Sequence, residues 1–338
     1  MFLIISEIYL FLFRTHVKLG NRHKLSVGTE YIVDVLKSQT DNIAKEDAYT
    51  LALFAQDEIK LLRNLQALIG VRYIYHENFK NHATPNVALM YKPGKFNFRA
   101  SYAAGFRTPT LSELYATDIA KKNDRLTIGN LDLKPEKNNY FSLSAEYVHE
   151  RFSVSVNAFY NNIRDMIDYN TIATGDKAME QYGHKEVRQR DNIAEAKVHG
   201  INVSANAYLG AGFNLSGGYT HLNTQDVELE QPIDKSIKNA YNINAQWAHS
   251  WKIYRLNINL NGRINSKRFS KSYGYAPEYQ LWDLNTRHSF NLKSVIIEPG
   301  CGIENLFDYT DDRPYNSNYA TLTPGRSFYI SLSLKFKS

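Results

Sequence analysis

Apolar and polar residues alternate along most of the chain with a period of two. Clear examples are residues 152–160 (FSVSVNAFY), 256–261 (LNINLN) and 330–336 (ISLSLKF). This alternation is typical of β-strands, whose successive side chains point to opposite faces. About fifteen such segments occur, many of them about 10 to 14 residues long, whereas soluble strands usually have about 5 or 6 residues. A helical period is almost absent, so the pattern predicts an all-β chain.

The connections between the predicted strands are alternately short and long. The short ones lie at residues 20–22, around 63–64, and at 92–95, 149–151, 209–212, 251–252 and 293–294. The long, polar ones cover residues 37–47, 77–84, 106–137, 169–190, 223–238, 266–277 and 307–325. Short turns at one end and long loops at the other are typical of an antiparallel transmembrane β-barrel.

The two faces of the predicted strands differ in chemistry. One carries Leu, Ile, Val, Phe and Ala, and the other carries Asn, Ser, Thr, Gln, Lys and Arg, which suits lipid outside and a hydrated lumen inside. A soluble sandwich or propeller would also alternate. Aromatic residues near strand ends indicate interfacial girdles, with cross-strand aromatic packing as the alternative. Examples are Tyr73 with Tyr75, Trp247 with Trp251, and Tyr279 with Trp282.

Composition excludes several other classes of protein. The apolar run from Met1 to Phe13 is interrupted by Glu7 and is shorter than the roughly 18 residues of a spanning helix. It also lacks the basic start and small-residue cleavage site of a signal peptide. Lone Cys301 excludes an internal disulfide framework. Catalytic and phosphate-binding motifs are absent and basic residues are scattered, so neither an enzyme nor a nucleic-acid-binding protein is predicted.

Three motifs carry a resemblance to a known family. The first is GFRTPTLSELY at residues 105–115, the second is GNLDLKPE at 129–136, and the third combines GIENLFD at 302–308 with PGR at 324–326 before the last predicted strand. In order and spacing they resemble the motifs of TonB-dependent outer-membrane receptors. The resemblance extends over essentially the whole chain but covers only the carboxyl-terminal part of that family.

The resemblance implies an incomplete antiparallel transmembrane β-barrel with about 15 of about 22 strands, since an unpaired sheet edge in lipid is costly. Residues 1–338 are expected to form a single barrel fragment, with no plug domain. Two alternatives follow for the missing strands: a separately encoded amino-terminal half supplies them, or the gene is interrupted. TonB is expected to act only through a plug. The expected location is the outer membrane, in contact with its lipid.

The function implied is TonB-energised uptake of a scarce solute, with a ferric siderophore as the first expectation. The alternatives are a cobalamin or oligosaccharide receptor, a passive pore, and the inactive product of an interrupted gene. No cofactor is expected. A His between the first two motifs, typical of haem receptors of the family, is missing, which lowers support for haem transport.

The motif residues are expected to be structural, with proline and glycine shaping the loops and Arg107 and Glu113 pairing with neighbours. They are Gly105, Phe106, Arg107, Pro109, Leu111, Glu113, Leu114, Tyr115, Gly129, Asn130, Leu133, Pro135, Glu136, Asn305, Leu306, Phe307, Pro324, Gly325 and Arg326.

Aromatic residues of the predicted loops are the candidates for ligand contact, because rings can stack on catecholates, corrins or sugars. They are Tyr115, Tyr169, Tyr182, Tyr273, Tyr315 and Tyr319. Metal ligation is left open. The candidates for it are His76, His82, His184 and His221, and for Ca²⁺ the carboxylates Asp226, Glu228, Glu230, Asp311 and Asp312, although solvated loop positions are the commoner case.

Overall fold

The computed structural model describes residues 4–38, 43–120, 124–271, 273–311 and 323–337. Over these residues the chain forms strands β1 to β19 and two short helices, α1 and α2. Their bounds are β1 Ile4–Leu19, β2 His23–Ser38, β3 Ile43–Leu62, β4 Leu65–His76, β5 Lys80–Tyr91, β6 Phe96–Arg107, α1 Leu111–Tyr115, β7 Thr117–Ala120, β8 Arg125–Ile128, β9 Glu136–Val148, β10 Phe152–Thr174, α2 Gly175–Tyr182, β11 Glu186–Gly210, β12 Phe213–Asp226, β13 Asn239–Trp251, β14 Tyr254–Asn265, β15 Arg268–Ser270, β16 Gly274–Ala276, β17 Tyr279–Asn291, β18 Val295–Glu304 and β19 Ser327–Phe336.

The long strands form one antiparallel meander. Each pairs with the next long strand along the chain, and β7, β8, β15 and β16 are short additions within the connections. In the part of the chain that the structure describes, β1 pairs only with β2 and β19 only with β18. The sheet is therefore open, and the prediction of an incomplete antiparallel barrel is confirmed.

All seven short connections lie at one end of the sheet, here called the turn end, and the long ones lie at the other, the loop end. Several predicted loops are wrong in extent, because strands continue into them; β10 and β11, for example, include residues 169–174 and 186–190 of the loop predicted at 169–190. Residues 37–47 and 77–84 were expected to be loops, but β2, β3 and β5 continue into them. Ladder bonding continues there, as the bond from the Glu77 amide to the Tyr49 carbonyl (3.0 Å) shows. Polar residues are compatible with strands that project beyond an apolar band, so polarity alone does not mark a strand end.

The two faces of the sheet can be assigned from register and exposure. The apolar face carries exposed side chains such as Leu143, Val156 and Ile201, and the polar face carries Ser142, Asn157 and Asn202. We call them the apolar face and the polar face throughout. On β19, Ile330, Leu332, Leu334 and Phe336 lie on the apolar face, with exposures of 87%, 66%, 52% and 81%.

Aromatic rings concentrate near both ends of the apolar face. At the loop end, Tyr49 lies between Tyr31 and Tyr75, with ring centroids 6.0 Å from each. At the turn end, Trp247 and Trp251 lie 6.1 Å apart. Tyr279 departs from the expected girdle. It belongs to the polar face, where its hydroxyl accepts a hydrogen bond from Asn265 (2.6 Å).

Among the described residues, three small clusters of buried apolar side chains lie at the loop end. Leu36, Ala48 and Leu111 form the first, Leu114, Leu133 and Ile167 the second, and Ala173, Ala178 and Val187 the third. Helices α1 and α2 contribute to these clusters but were not predicted, because five and eight residues are too few to show a helical period. No described helix has the length and apolar character needed to cross a membrane.

Candidate functional site

The first two motifs meet through Arg107 at the end of β6. Its guanidinium donates to both carboxylate oxygens of Glu136 (2.8 and 2.5 Å) and to Glu113 (2.9 Å). Glu136 also accepts a bond from the Ile167 amide on β10 (2.8 Å). Arg107 is 42% exposed, whereas Glu113 and Glu136 are 14% and 17% exposed, so the two carboxylates depend on this cation for charge compensation. The network joins β6, α1, β9 and β10.

Helix α1 is held in place by its own cap. The Thr110 hydroxyl accepts from the Glu113 amide (3.2 Å), and the Glu113 carboxylate accepts from the Thr110 amide (2.9 Å), which is a capping box. Burial alone would raise the pKa of Glu113, but hydrogen bonds from Arg107 and Thr110 outweigh it and hold this pKa below its ordinary value. Glu113 therefore links the helix cap to the Arg107 network as a carboxylate.

The second motif packs directly against α1. A Cβ built on Gly129 would lie 2.5 Å from the Leu114 carbonyl oxygen, so only glycine allows this approach of the two backbones. The Asn130 amide donates to the Glu113 carbonyl (3.1 Å), and Leu133 is buried beside Leu114. Pro109 is buried and Pro135 half-buried at the ends of this connection.

Two further residues of the first motif lie beside neighbouring strands. The Phe106 ring stacks on His82 with centroids 3.7 Å apart, and Gly105 faces the Asn138 side chain.

The third motif shapes the last connection. Asn305, buried and with φ of 52°, bonds through its side chain to both the amide and the carbonyl of Tyr309 (2.9 and 2.7 Å). The Leu306 amide donates to the Trp282 carbonyl (2.6 Å), and the exposed Phe307 ring meets Trp282 edge-on.

The PGR segment at residues 324–326 then enters β19. Gly325 adopts a φ of 99° after the exposed Pro324, and the Arg326 amide donates to Asp308 (2.7 Å).

The candidate ligand-contact tyrosines occupy different environments. Tyr115 packs against the first and second clusters and Tyr182 against the third, whereas Tyr169 and Tyr273 are 43% and 55% exposed. Tyr315 and Tyr319 lie outside the described residues. The Arg190 guanidinium sits 3.8 Å above the centre of the Tyr169 ring, which places a cation and an aromatic surface together at the loop end.

A second ion network was not predicted from the sequence. Lys271, in the connection between β15 and β16, reaches Asp168 on β10 (3.3 Å) and Asp226 at the end of β12 (3.2 Å). Asp226 is only 1% exposed. The sequence offers no signal for this network, because its members lie 45 and 103 positions apart. It ties the long β10–β11 hairpin to two neighbouring loops.

The candidate metal ligands do not converge in the part of the chain that the structure describes, where no group of three metal-ligating side chains occurs. His82 pairs with the Phe79 carbonyl (2.9 Å), His184 with Asp124 (2.9 Å) and His221 with Asn239 (2.8 Å). His76 is buried and accepts from the Asn78 amide (3.1 Å), and Asp312 lies outside the described residues.

The alternate spacing of Asp226, Glu228 and Glu230 would place the three carboxylates on one face only if a strand continued through all of them. Strand β12 ends at Asp226, so the two glutamates follow in a turn.

Comparison with known proteins identifies the family. Residues 7–306 match the family model described as TonB dependent receptor-like, beta-barrel. The chain belongs to the TonB-dependent receptor family. Barrels of this family lie in outer membranes, and their proteins are receptors and transporters. The resemblance drawn from the three motifs is thereby confirmed.

Solved structures support the same fold. A mutant ferric enterobactin receptor from Pseudomonas aeruginosa (PfeA) has a TM-score of 0.80 and 19% identity, over 99% of this chain and 54% of that one. The siderophore receptor PirA from Pseudomonas aeruginosa has a TM-score of 0.77 and 19% identity, over 99% of this chain and 57% of that one. The copper transporter OprC has a TM-score of 0.76 and 12% identity, over 97% of this chain and 56% of that one. The chain thus spans somewhat more than half the length of these structures.

Proposed function

We propose that the chain forms the greater part of the wall of an outer-membrane transporter that takes up a ferric siderophore with energy delivered through TonB. The observation that carries the proposal is the shared fold: 99% of the chain superposes on a ferric enterobactin receptor and on a siderophore receptor. The motif residues are assigned a structural role in this proposal, as anchors of the connection between β6 and β9.

Chemistry at the loop end supports a siderophore as the cargo. Arg190 and Tyr169 offer a cation stacked on an exposed ring, and Tyr273 offers a second exposed ring. Anionic, aromatic ferric chelates can pair with the cation and stack on the rings. A neutral sugar would use the rings alone, so the Arg190–Tyr169 pair favours the chelate.

The two free sheet edges support a further part of the proposal, that strands and a lumen-filling domain beyond residues 1–338 complete the transporter. Each unpaired backbone group in lipid costs several kcal/mol, so β1 and β19 require pairing partners. Near the turn end, the polar face of β1 to β6 borders a cavity of about 690 Å³. Lys18, Lys60 and Arg99 line it, which suits an acidic surface on the domain that fills the lumen.

The test is a growth panel in a strain that lacks its own siderophore receptors and expresses the chain together with a plug-bearing amino-terminal fragment. Ferric enterobactin, a ferric hydroxamate, cobalamin and a maltodextrin are each supplied as the limiting nutrient. Growth on a ferric siderophore that requires TonB is expected. The variant Arg190→Gln should slow this growth, whereas Arg188→Gln, on the same strand but paired with Glu186, should not.

Growth on cobalamin or maltodextrin alone would contradict the assigned cargo. Growth that persists without TonB would indicate a passive pore instead.

A further inference from the structure

Two cations lie directly opposite each other on the apolar face of the β9–β10 hairpin. Register pairs Lys137 with Arg164, and both side chains are exposed. Like charges in direct cross-strand positions destabilise a sheet unless an anion compensates them. Neither side chain makes an ion pair in the part of the chain that the structure describes. Glu195 lies opposite Arg164 on β11, but one carboxylate leaves the two cations with excess positive charge, which an anion from outside the protein can balance.

A third cation extends this patch onto the next strand. Lys197 on β11 is the register partner of Asn162, two residues before Arg164 on the same face. The nearest carboxylate in the register is Glu195, opposite Arg164, and it lies 3.7 Å from Lys197. The patch of Lys137, Arg164 and Lys197 thus keeps a net positive charge on three adjacent strands.

Below the patch, toward the turn end, the same face contains a wide, shallow apolar groove of about 610 Å³. Leu143 stands between Ala100 and Ala158 in the register, and the two small side chains leave room on both sides of it. The walls are formed by Val87, Leu89, Tyr102, Phe141 and Tyr160.

The spacing between groove and cations exceeds the depth of a lipid headgroup zone by a few Å, about the length over which a long basic side chain can bend. Phe141, at the upper end of the groove, is four residues from Lys137, or about 13 Å along the strand. A strand tilt of about 40° reduces this to about 10 Å of height. The headgroup zone is about 5 to 7 Å deep on each side of the hydrocarbon core, and long basic side chains can bend toward it.

We propose that this surface is a binding site for a phosphorylated lipid of the outer leaflet, with an acyl chain in the groove and the phosphate between Lys137, Arg164 and Lys197. The proposal rests on the proposed function only in requiring that the apolar face contact the membrane. The occupant is a lipid and not a free anion, because a groove with apolar walls lies on the same face, about 10 Å in height below the cations.

The proposal is tested by native mass spectrometry of the protein extracted from bacterial outer membranes together with the strands that close its sheet. Dioleoyl phosphatidic acid is the probe, and dioleoylglycerol and inorganic phosphate are the comparison compounds. Bound phosphatidic acid should fall about fivefold for each cation removed, in Lys137→Gln and in Lys137→Gln with Arg164→Gln. Ala158→Trp, which fills the groove at an exposed position, should also reduce it.

Lys45→Gln is the matched control, since Lys45 lies near the loop end of the sheet but is paired with Asp47 (3.0 Å). It should retain the lipid. Equal retention by the wild type and all charge variants would overturn the proposal, as would equal binding of dioleoylglycerol or full competition by inorganic phosphate. If the gel mobility of the wild-type protein does not change on heating, the protein is not a folded membrane barrel, and both proposals are refuted.

Discussion

Replacing Arg107 by Met should release the connection between β6 and β9 from the sheet. The substitution removes two charge-assisted hydrogen bonds to Glu136 and one to Glu113. Such bonds contribute about 1.5 to 3 kcal/mol each when buried, but exposed ion pairs contribute at most about 1 kcal/mol. Because Arg107 is 42% exposed and both carboxylates keep other donors, we expect a loss of about 2 to 3 kcal/mol.

The loss should appear as local opening, because α1 and the second motif form a small unit tied to the sheet through this network. Hydrogen exchange of the amides of Leu114 and Asn130, which bond to Thr110 and Glu113, measures it directly. Protection should fall about 30- to 150-fold, which corresponds to the same 2 to 3 kcal/mol. Unchanged protection would refute the anchoring role of Arg107.

Arg99→Met is the matched control. Arg99 lies on the same strand and the same polar face, and its side chain contacts only the Met90 sulfur (3.4 Å) among the hydrogen bonds of the described residues. Protection at Leu114 should then stay at the wild-type level. A comparable loss in Arg99→Met would show that the effect reflects lumen charge in general.

The same network makes the hydrogen-exchange protection of α1 depend on pH. The pKa of Glu113 is lowered in the folded protein, so its contribution is present above the ordinary carboxyl pKa and is lost as the pH falls through the lowered value. Protection of the Leu114 amide should therefore be constant near neutral pH and fall only in acid. A decline between pH 8 and 6 would contradict this assignment.

Three further changes test other parts of the structure. Gly129→Ala places a Cβ 2.5 Å from a backbone oxygen, so it should cost about 1 to 3 kcal/mol, visible as faster hydrogen exchange in α1. On the last strand, Leu332→Arg should lower the stability of the folded barrel in lipid by about 2 to 4 kcal/mol, and Ser331→Arg should have a mild effect; equal damage would contradict the assignment of faces. Lys271→Met leaves the buried Asp226 without its cation, so it should lower the hydrogen-exchange protection of residues 227–238 by about 2 to 3 kcal/mol. Unchanged exchange would show that the ion network of Lys271 contributes little to stability.

The strands could be predicted from sequence because one face must be apolar and the other polar over the height of a membrane. Their ends could not. Beyond that height both faces contact polar surroundings, and the alternation that marked β10 and β11 no longer distinguishes strand from loop. These strands reach 23 and 25 residues, whereas about 9 to 11 suffice to cross a bilayer.

Residues of the candidate site were predictable to different degrees. The first motif, with Arg107 and Glu113, and the second, with Glu136, are identified by resemblance, and the capping box of Thr110 and Glu113 has a local sequence signature. The partners of Lys271 had none, since the loops that bring Asp168 and Asp226 together are positioned by strand pairing far along the chain. The exposed Arg190–Tyr169 pair likewise depends on β10 and β11 remaining paired beyond the membrane.

Uptake of radioactive iron shows whether the chain needs added strands, a plug and TonB to transport a ferric siderophore. Cells lacking their own siderophore receptors are compared when they make residues 1–338 alone, the same chain with a plug-bearing amino-terminal fragment, or the fragment alone, each with and without TonB. Uptake of ferric siderophore is expected only when both parts and TonB are present, because the two free edges of the sheet must be paired and the lumen filled. TonB-dependent uptake by residues 1–338 alone, or equal uptake without TonB, would contradict this expectation.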